Sequence, residues 1–269
     1  MIDQMPKIHI RKAVAGYREF LVTTKNDVRF LPCDGEGRSE TVHKLKGKGS
    51  YSVAAMLANE LIVVADADGI IVCYDWDLNV MWERVVASKI YEVRICAYTQ
   101  QIIVMADRRD HLDLDSGCSS EPKIAGVLIP TRSGVVGYRK SRAYFASDDG
   151  IVTLGGDPRL AVAAAWESKS LLLALASRGG YLEYELLDKG TGESLGTIDQ
   201  RRGLLLPYIA AADTSDRFLA VAEHLDGGSI VSIDLDRVEI IAKFPYRDSI
   251  SISLDGSFVL RRDGQIMAL

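Results

Sequence analysis

The chain has 269 residues, of which 48% are hydrophobic and 26% charged, an ordinary composition for a globular protein. Its length allows one large all-β domain or two smaller ones. The formal net charge of −5 disfavours a general nucleic-acid binder, because such domains are usually basic. No stretch approaches the roughly 20 uncharged residues of a membrane span, and residues 1–14 lack the apolar core of a signal peptide, so we expect a cytoplasmic protein without membrane contact.

Short apolar runs recur along the chain at roughly forty-residue intervals, which is the period of a four-stranded propeller blade. Seven such runs cover residues 20–24, 61–65, 102–106, 143–146, 171–176, 218–222 and 257–260. The runs are rich in branched residues and have the length of strands rather than helices. Because most of them do not alternate between apolar and polar residues, they predict strands that are covered on both faces.

Each run is followed by residues that favour a tight turn. The turn pairs are Asn26-Asp27, Asp68-Gly69, Asp110-His111, Asp149-Gly150, Gly179-Gly180, Asp226-Gly227 and Asp263-Gly264. A two-residue hairpin of the favoured type needs positive φ at both central positions, and Asp or Asn followed by Gly tolerates this best. The pattern therefore predicts seven hairpins, each continued by a more polar strand and an outer, alternating strand.

Counting these hairpins predicts a single domain over residues 1–269, an all-β, seven-bladed β-propeller of four-stranded antiparallel blades. The seven units cover about 13–49, 50–88, 89–131, 132–163, 164–204, 205–247 and the residues from 248 on. The last unit stops after its third strand, so we expect the alternating run 7–12 to complete that blade and close the ring, which removes an exposed edge. Residues 155–170 are short for two strands and 161–167 could be helical, which leaves six or eight blades as alternatives.

Two segments carry a resemblance to known repeats. The order of strand, Asp-Gly turn, strand and apolar-Asp pair in residues 215–236 resembles the WD40 repeat. Residues 65–83 resemble the pyrroloquinoline-quinone-type repeat, in which a turn glycine precedes a strand and a later Trp closes the blade. The Gly-His signature of WD40 units is absent, and Trp76-Asp77 is displaced from the strand-end Asp75. The resemblance thus implies a propeller superfamily and no specific member.

Acidic pairs at the turns invite a comparison with calcium loops. Asp66 and Asp68 lack a third carboxylate, and Asp113 and Asp115 lack both the spacing and the distant Glu that such a loop requires. Turn formation accounts for Asp68 and strand-end capping for Asp115, so we predict no metal site there.

Other sites of chemistry are equally weakly marked. His111 and His224 fall at the same type of turn, but two ligands on distant blades are too few for a metal site. No nucleophile elbow, Walker loop, dinucleotide fingerprint or HExxH motif is present. The glycine-rich pieces 33–39 and 187–196 are not followed by a helix, so they lack the geometry that cradles phosphate. We predict no catalytic residue and no cofactor.

The four cysteines, Cys33, Cys73, Cys96 and Cys118, have no CxxC spacing. Cys73 and Cys96 lie inside apolar runs, where a free thiol behaves as a small hydrophobic group. We predict buried free thiols, with disulfides as the alternative.

Charged residues are sorted between the two faces of the predicted propeller. The second-to-third-strand turns and the blade connectors share one face, which collects Lys25, Lys46, Lys48, Lys89, Arg108, Arg109, Arg132, Arg178, Arg201, Arg202, Arg247, Arg261 and Arg262. It also holds Asp66, Asp68, Asp148, Asp149 and Asp226, so it leans basic. The opposite face carries Asp34, Glu36, Asp75, Asp77, Asp115, Glu121, Asp157, Asp188, Glu193, Asp234 and Asp236. Such asymmetry steers a charged partner toward one face, although loops are also charged simply because they are wet.

The paired arginines stand where other blades have small or acidic turn residues. We predict a non-enzymatic scaffold that docks an acidic protein segment or complex subunit on the basic-leaning face, through Arg108, Arg109, Arg261, Arg262, Arg201 and Arg202. The alternative is a metal-assisted lactonase-like or lyase-like enzyme in the central channel, with Asp68, Asp149 and His224 as ligands. A third hypothesis, nucleic-acid backbone binding by the same arginines, is disfavoured by the acidic total.

Overall fold

The computed structural model describes residues 10–16, 19–33, 40–44, 52–57, 60–66, 68–86, 89–124, 129–139, 142–155, 160–178, 181–198, 208–211, 216–224, 227–235, 238–244 and 249–268. Among these residues the regular elements are all β-strands, and none forms a helix that is long and apolar enough to cross a membrane. The chain divides into two compact units. The first comprises Met1–Ile95, Gln100–Glu121 and Asp248–Leu269, and the second Cys96–Thr99 and Pro122–Arg247.

The first unit contains four antiparallel sheets whose strands follow one another in chain order. The first sheet has β1 (Lys12–Ala15), β2 (Glu19–Thr23), β3 (Asp27–Pro32) and β4 (Glu40–Lys44). The second has β5 (Ser52–Leu57), β6 (Leu61–Asp66), β7 (Ile70–Asp75) and β8 (Val80–Val85). The third has β9 (Glu92–Cys96), β10 (Gln101–Met105) and β11 (Arg109–Asp113). The seventh sheet has β24 (Ser249–Ile252), β25 (Phe258–Arg261) and β26 (Ile266–Ala268).

The second unit contains the three remaining antiparallel sheets. The fourth sheet has β12 (Ile129–Pro130), β13 (Gly134–Arg139), β14 (Arg142–Ser147) and β15 (Gly150–Thr153). The fifth has β16 (Ala161–Glu167), β17 (Leu171–Arg178), β18 (Tyr181–Asp188) and β19 (Ser194–Ile198). The sixth has β20 (Tyr208–Ala211), β21 (Phe218–His224), β22 (Gly227–Ile233) and β23 (Val238–Phe244). The predicted number of seven sheets is therefore confirmed.

The second sheet shows why the apolar runs do not alternate. Ile62 and Val64 of β6 belong to a core shared with the first sheet, whereas Val63 and Ala65 belong to a core shared with the third sheet. All six residues of β6 are buried. Both faces of the strand thus bury apolar area, which is the main favourable contribution to folding, and the expectation of two covered faces is confirmed for β6.

The beginning of the described chain meets the seventh sheet inside the first unit. β1 lies against β24, and the Ile10 N–H donates a hydrogen bond to the Arg262 carbonyl at 2.9 Å. The Arg11 N–H donates to the Thr23 carbonyl at 2.8 Å, so residues 11 and 12 belong to the first sheet and not to the seventh. The prediction that residues 11 and 12 complete the seventh sheet is therefore wrong, and residues 7–9 of the predicted strand lie outside the described part of the chain.

Two sheets depart from the predicted pattern. Residues 161–167 form β16 and not a helix, and the predicted boundary after residue 163 is wrong because it falls inside this strand. In the fourth sheet β12 pairs with β13, so the Asp149-Gly150 turn lies before the fourth strand instead of the third.

Within the described residues the third and seventh sheets have three strands. An isolated antiparallel bridge joins Leu112 of β11 to Ser119.

The predicted turns are partly confirmed. Gly69 has φ 85° and Gly264 φ 88°, as tight turns after Asp require. Asp110-His111 is wrong as a turn pair, because β11 begins at Arg109 and the connection is closed by the Ala106 N–H and the Arg108 carbonyl. Gly179-Gly180 and Asp226 lie outside the described residues.

Candidate partner-binding turns

The turn between β10 and β11 carries the first arginine doublet. The Arg108 side chain is 80% exposed, and its Nε lies 3.2 Å from Oδ1 of Asp110. Arg109 is the first residue of β11, is half-buried and pairs with Met105. The acidic residue of the turn thus restrains Arg108 without covering it. The doublet presents one exposed guanidinium, that of Arg108.

The turn between β25 and β26 carries the second doublet. Arg261 ends β25 with its side chain only 18% exposed, and its Nη1 donates to Oε1 of Gln265 at 2.6 Å and lies 3.3 Å from Oδ2 of Asp263. Arg262 is exposed, and its carbonyl accepts the hydrogen bond from Ile10. Arg261 therefore holds the turn together, and Arg262 is the residue that faces solvent.

The structure brings the predicted arginines together in pairs. Both doublets lie at turns between the second and third strands of three-stranded sheets in the first unit. The contacts of the seventh sheet with the first, of the first with the second and of the second with the third place two sheets between the doublets. Arg201 and Arg202 lie outside the described residues.

Residues of the connector before β9 complete the surface around Arg108. Nζ of the exposed Lys89 lies 5.4 Å from the ring centroid of Tyr91, and the Tyr91 hydroxyl donates to Oδ1 of Asp107 at 3.2 Å. Tyr91 is 43% exposed, so part of its ring faces solvent. We call Lys89, Tyr91, Asp107 and Arg108 the third-sheet rim. Tyr91 was missed in the sequence, although an aromatic residue inside a basic connector was the signal that could have found it.

His111, one of the two histidines considered as metal ligands, is a buried strand residue. It lies within β11 and is only 8% exposed; burial, with a smaller effect of the Arg109 charge, lowers its pKa. The side chain of His224 is not among those described. Asp68 lies beside Asp66, whose Oδ1 accepts the Asp68 N–H at 3.0 Å, as in an ordinary turn. In the part of the chain that the structure describes, no group of three His, Cys, Asp or Glu side chains is arranged to hold a metal.

Two acidic loops share the same hydrogen-bonded motif, in which an Asp carboxylate binds a Ser or Thr three residues later. In the loop 113–118, Oδ1 of Asp113 accepts the N–H of Ser116 at 3.0 Å and its hydroxyl at 2.8 Å. In the loop 188–193, Oδ1 of Asp188 accepts the same two groups of Thr191 at 2.7 and 3.1 Å. Both carboxylates are engaged inside their own loops, so the residues that resembled parts of calcium or phosphate loops shape the turn.

In each loop the glycine that directly follows the Ser or Thr lies against the preceding sheet. Gly117 has φ 65°, and a Cβ there would lie 2.6 Å from the Trp82 ring, whose Nε1–H donates to the Leu114 carbonyl at 3.0 Å. Gly192 has φ 73°, and its carbonyl accepts the Gly155 N–H at 2.8 Å. Trp82 thus joins the second sheet to the third, in agreement with the closing Trp that the repeat resemblance implies.

A buried carboxylate links the fourth and fifth sheets. Glu167, with a side chain only 1% exposed, accepts hydrogen bonds from the N–H and hydroxyl of Ser133 and from Nζ of Lys189 at 2.9 Å. Burial opposes ionisation, but these hydrogen bonds outweigh it and hold the pKa of Glu167 below its ordinary value. Its partners saturate this carboxylate, so it serves as a structural link and not as an acid or base.

All four cysteines are free thiols, and Cys33, Cys73 and Cys96 are buried, whereas Cys118 is exposed. The prediction of free thiols is confirmed, and that of burial holds for three of the four.

No known family profile matches the chain, and no curated protein matches its sequence. Solved structures do match. A chain of the mitotic checkpoint complex is 12% identical with a TM-score of 0.66, over 97% of this chain and 90% of that one. The β-propeller domain of Cps50 (Swd1) from Myceliophteria thermophila is 10% identical with a TM-score of 0.62, over 96% and 93%. BamB from Moraxella catarrhalis is 12% identical with a TM-score of 0.50, over 93% and 78%. The fold is that of a seven-bladed β-propeller, similar to WD40 and related repeat propellers.

Proposed function

We propose that the protein is a non-enzymatic scaffold that docks an acidic protein segment or complex subunit on the turns that carry the arginine doublets. The observation that supports this best is the exposure of Arg108 and Arg262 at equivalent turns, where Asp110 pairs with Arg108 and Asp263 pairs with the half-buried Arg261. Arginine is favoured at interface hot spots and for bidentate pairing with carboxylates. The contribution of Arg201 and Arg202 stays a prediction, because both lie outside the described residues. One of the similar structures belongs to a multi-protein complex, which supports a role of this class.

Reversing the charge of the two exposed arginines tests the proposal. The variant Arg108→Glu/Arg262→Glu is expected to lose about tenfold or more of its partner affinity, because charge pairs across an interface are turned into repulsions. Binding of the partner recovered by pull-down should be measured at low and high salt, since screening weakens the exposed charge pairs of the wild type. The control Arg142→Glu/Arg217→Glu replaces two other exposed arginines and changes the net charge by the same amount. Equal affinity of both variants would contradict the proposal.

The proposal includes a cytoplasmic location. It is supported by the four free thiols, because an oxidising compartment favours disulfides. Fractionation of cells that express the protein with its own first residues tests this directly; recovery from an exported fraction would contradict it.

We further propose that the residues before Ile10 form the outer strand of the seventh sheet and close the propeller. The hydrogen bond from the Ile10 N–H to the Arg262 carbonyl and the contact between β1 and β24 support this closure. β26 is the edge strand of the described part of that sheet, so its outer side is where such a strand would pair.

Replacing Ile10 with proline is expected to lower the free energy of unfolding by about 2 kcal/mol, because the donor to the Arg262 carbonyl is removed. Ile10→Val keeps the N–H and is expected to cost about 1 kcal/mol or less. Deletion of residues 1–9 is expected to destabilise the protein at least as much as Ile10→Pro. Urea unfolding measures all three, and an unchanged midpoint after the deletion would sink the closure.

A further inference from the structure

The third-sheet rim carries an exposed aromatic ring, Tyr91. Nζ of Lys89 lies over the Tyr91 ring, and the Tyr91 hydroxyl donates to Asp107, the residue before the exposed Arg108. At the turn of Arg261 and Arg262, the bonds described for the side chains are those to Gln265 and Asp263.

The rim is held in place before any partner arrives. The Tyr91 N–H donates to the Met105 carbonyl at 2.8 Å, and the hydroxyl is held by Asp107 at the other end of the side chain. The guanidinium of Arg108 is tethered to Asp110. A preorganised aromatic and a preorganised cation lose little conformational entropy on binding, and this is the property that makes Tyr and Arg frequent hot spots.

The charges and the ring together define the ligand. Lys89 and Arg108 attract carboxylates. The exposed part of the Tyr91 ring offers apolar area against which an apolar side chain can pack. We propose that the third-sheet rim is the anchor of the docking surface and binds an acidic peptide segment in which an apolar side chain is flanked by carboxylates. The apolar side chain packs on Tyr91, and the carboxylates pair with Lys89 and Arg108. This inference rests on the proposed scaffold function and narrows it to one turn.

A single-stranded nucleic acid would also use cations beside an aromatic ring. Non-specific binding of a single strand relies on several rings along a continuous cationic groove, whereas the third-sheet rim as described has one exposed ring and two exposed cations. The acidic peptide is therefore the favoured occupant, and the nucleic acid becomes an outcome of the test.

A random peptide library displayed on phage, selected on the wild-type protein, supplies the probe. The enriched peptides are expected to be rich in Asp and Glu around an aromatic or aliphatic residue. Fluorescence anisotropy of the best peptide should show an affinity loss of about tenfold or more in Tyr91→Ala, since buried aromatic anchors dominate binding energies. Tyr91→Phe keeps the ring and should stay within about threefold, because the lost hydroxyl bonds to Asp107 and not to the peptide. Lys89→Ala and Arg108→Ala should weaken binding more at low salt than at high salt.

The matched control is Arg142→Ala, which removes an exposed arginine outside both turns and should leave this peptide's affinity unchanged; Arg262→Ala tests the other turn. An acidic peptide that depends on Arg262 but tolerates Tyr91→Ala would overturn the rim as the anchor and leave the scaffold proposal standing. A selection without acidic peptides, or a peptide indifferent to all these variants, would overturn both. Binding of a fluorescent oligothymidylate that depends on Tyr91 and competes with the peptide would overturn the acidic peptide as the occupant. Thermal unfolding of each variant identifies losses that arise from folding.

Discussion

Replacing Gly192 with alanine is expected to lower the free energy of unfolding by about 3 kcal/mol, the sum of backbone strain and overpacking. Gly192 has φ 73°, and an added Cβ would lie 2.1 Å from the Thr153 carbonyl oxygen and 2.8 Å from Cγ1 of Val152. The nearest atom belongs to the backbone of the fourth sheet, so the contact between the two sheets has to open. The Gly155 N–H would then lose its acceptor, the Gly192 carbonyl.

Gly190, two residues earlier in the same loop, supplies the matched control. A Cβ there would meet only Oδ1 of Asp188 at 3.5 Å, an ordinary contact distance. Gly190→Ala is expected to be neutral or to stabilise by about 0.5 kcal/mol, because alanine restricts the unfolded chain. Urea unfolding followed by intrinsic tryptophan fluorescence, with Trp166 of β16 as the reporter of the second unit, compares the two. Equal midpoints for Gly190→Ala and Gly192→Ala would show that the loop does not need its close approach.

The variant Glu167→Gln is expected to lose about 3 kcal/mol at neutral pH, as is typical when a buried ion pair loses one charge. Three donors, two from Ser133 and one from Lys189, converge on this carboxylate. An amide offers only one acceptor oxygen and turns an NH₂ group toward donors. Urea denaturation of wild type and variant at pH 7 measures the difference.

The loss of stability caused by Glu167→Gln should become smaller as the pH falls. The pKa of Glu167 is lowered in the folded protein, so its ionised form stabilises the fold above the unfolded-state pKa, and this contribution disappears as the pH falls through the folded-state pKa. The gap between wild type and Glu167→Gln should therefore be full at pH 7 and shrink below about pH 4. Lys189→Met should lower stability in the wild type but much less in the Glu167→Gln background, and a gap that is constant from pH 7 to pH 3 would argue against the ion pair.

Much of the fold followed from the sequence because the determining interactions are local and repeated. The run 61–65 predicts β6 almost to the residue, since a strand buried on both faces must be apolar throughout. The failures have tertiary causes. Residues 161–167 are rich in Ala and favour a helix locally, but pairing with β17 holds them as β16. Asp110-His111 has turn chemistry, yet pairing with β10 places both residues inside a strand.

The candidate site was predictable only in part. The doublets are visible in the sequence, but which arginine is exposed depends on contacts: Gln265 and Asp263 hold Arg261, and Arg262 is left to face solvent. The role of Tyr91 depends on its distance to Lys89 and Asp107, which lie on different segments. Asp113 and Asp188 play the same role in their loops, because each is followed three residues later by Ser or Thr and then by Gly. This spacing becomes recognisable only when the hydrogen bonds of the loops are known.

The bond between Ile10 and Arg262 has a consequence for the order in which the protein folds during synthesis. The second unit is nearly continuous in sequence, whereas the first unit includes Asp248–Leu269, which is synthesised after the whole of the second unit. Joining segments so far apart costs much chain entropy, and contacts of long sequence separation form slowly. The first three sheets are synthesised early, but their unit cannot be completed until the seventh sheet has been translated. The fourth, fifth and sixth sheets have all their strands synthesised before that point.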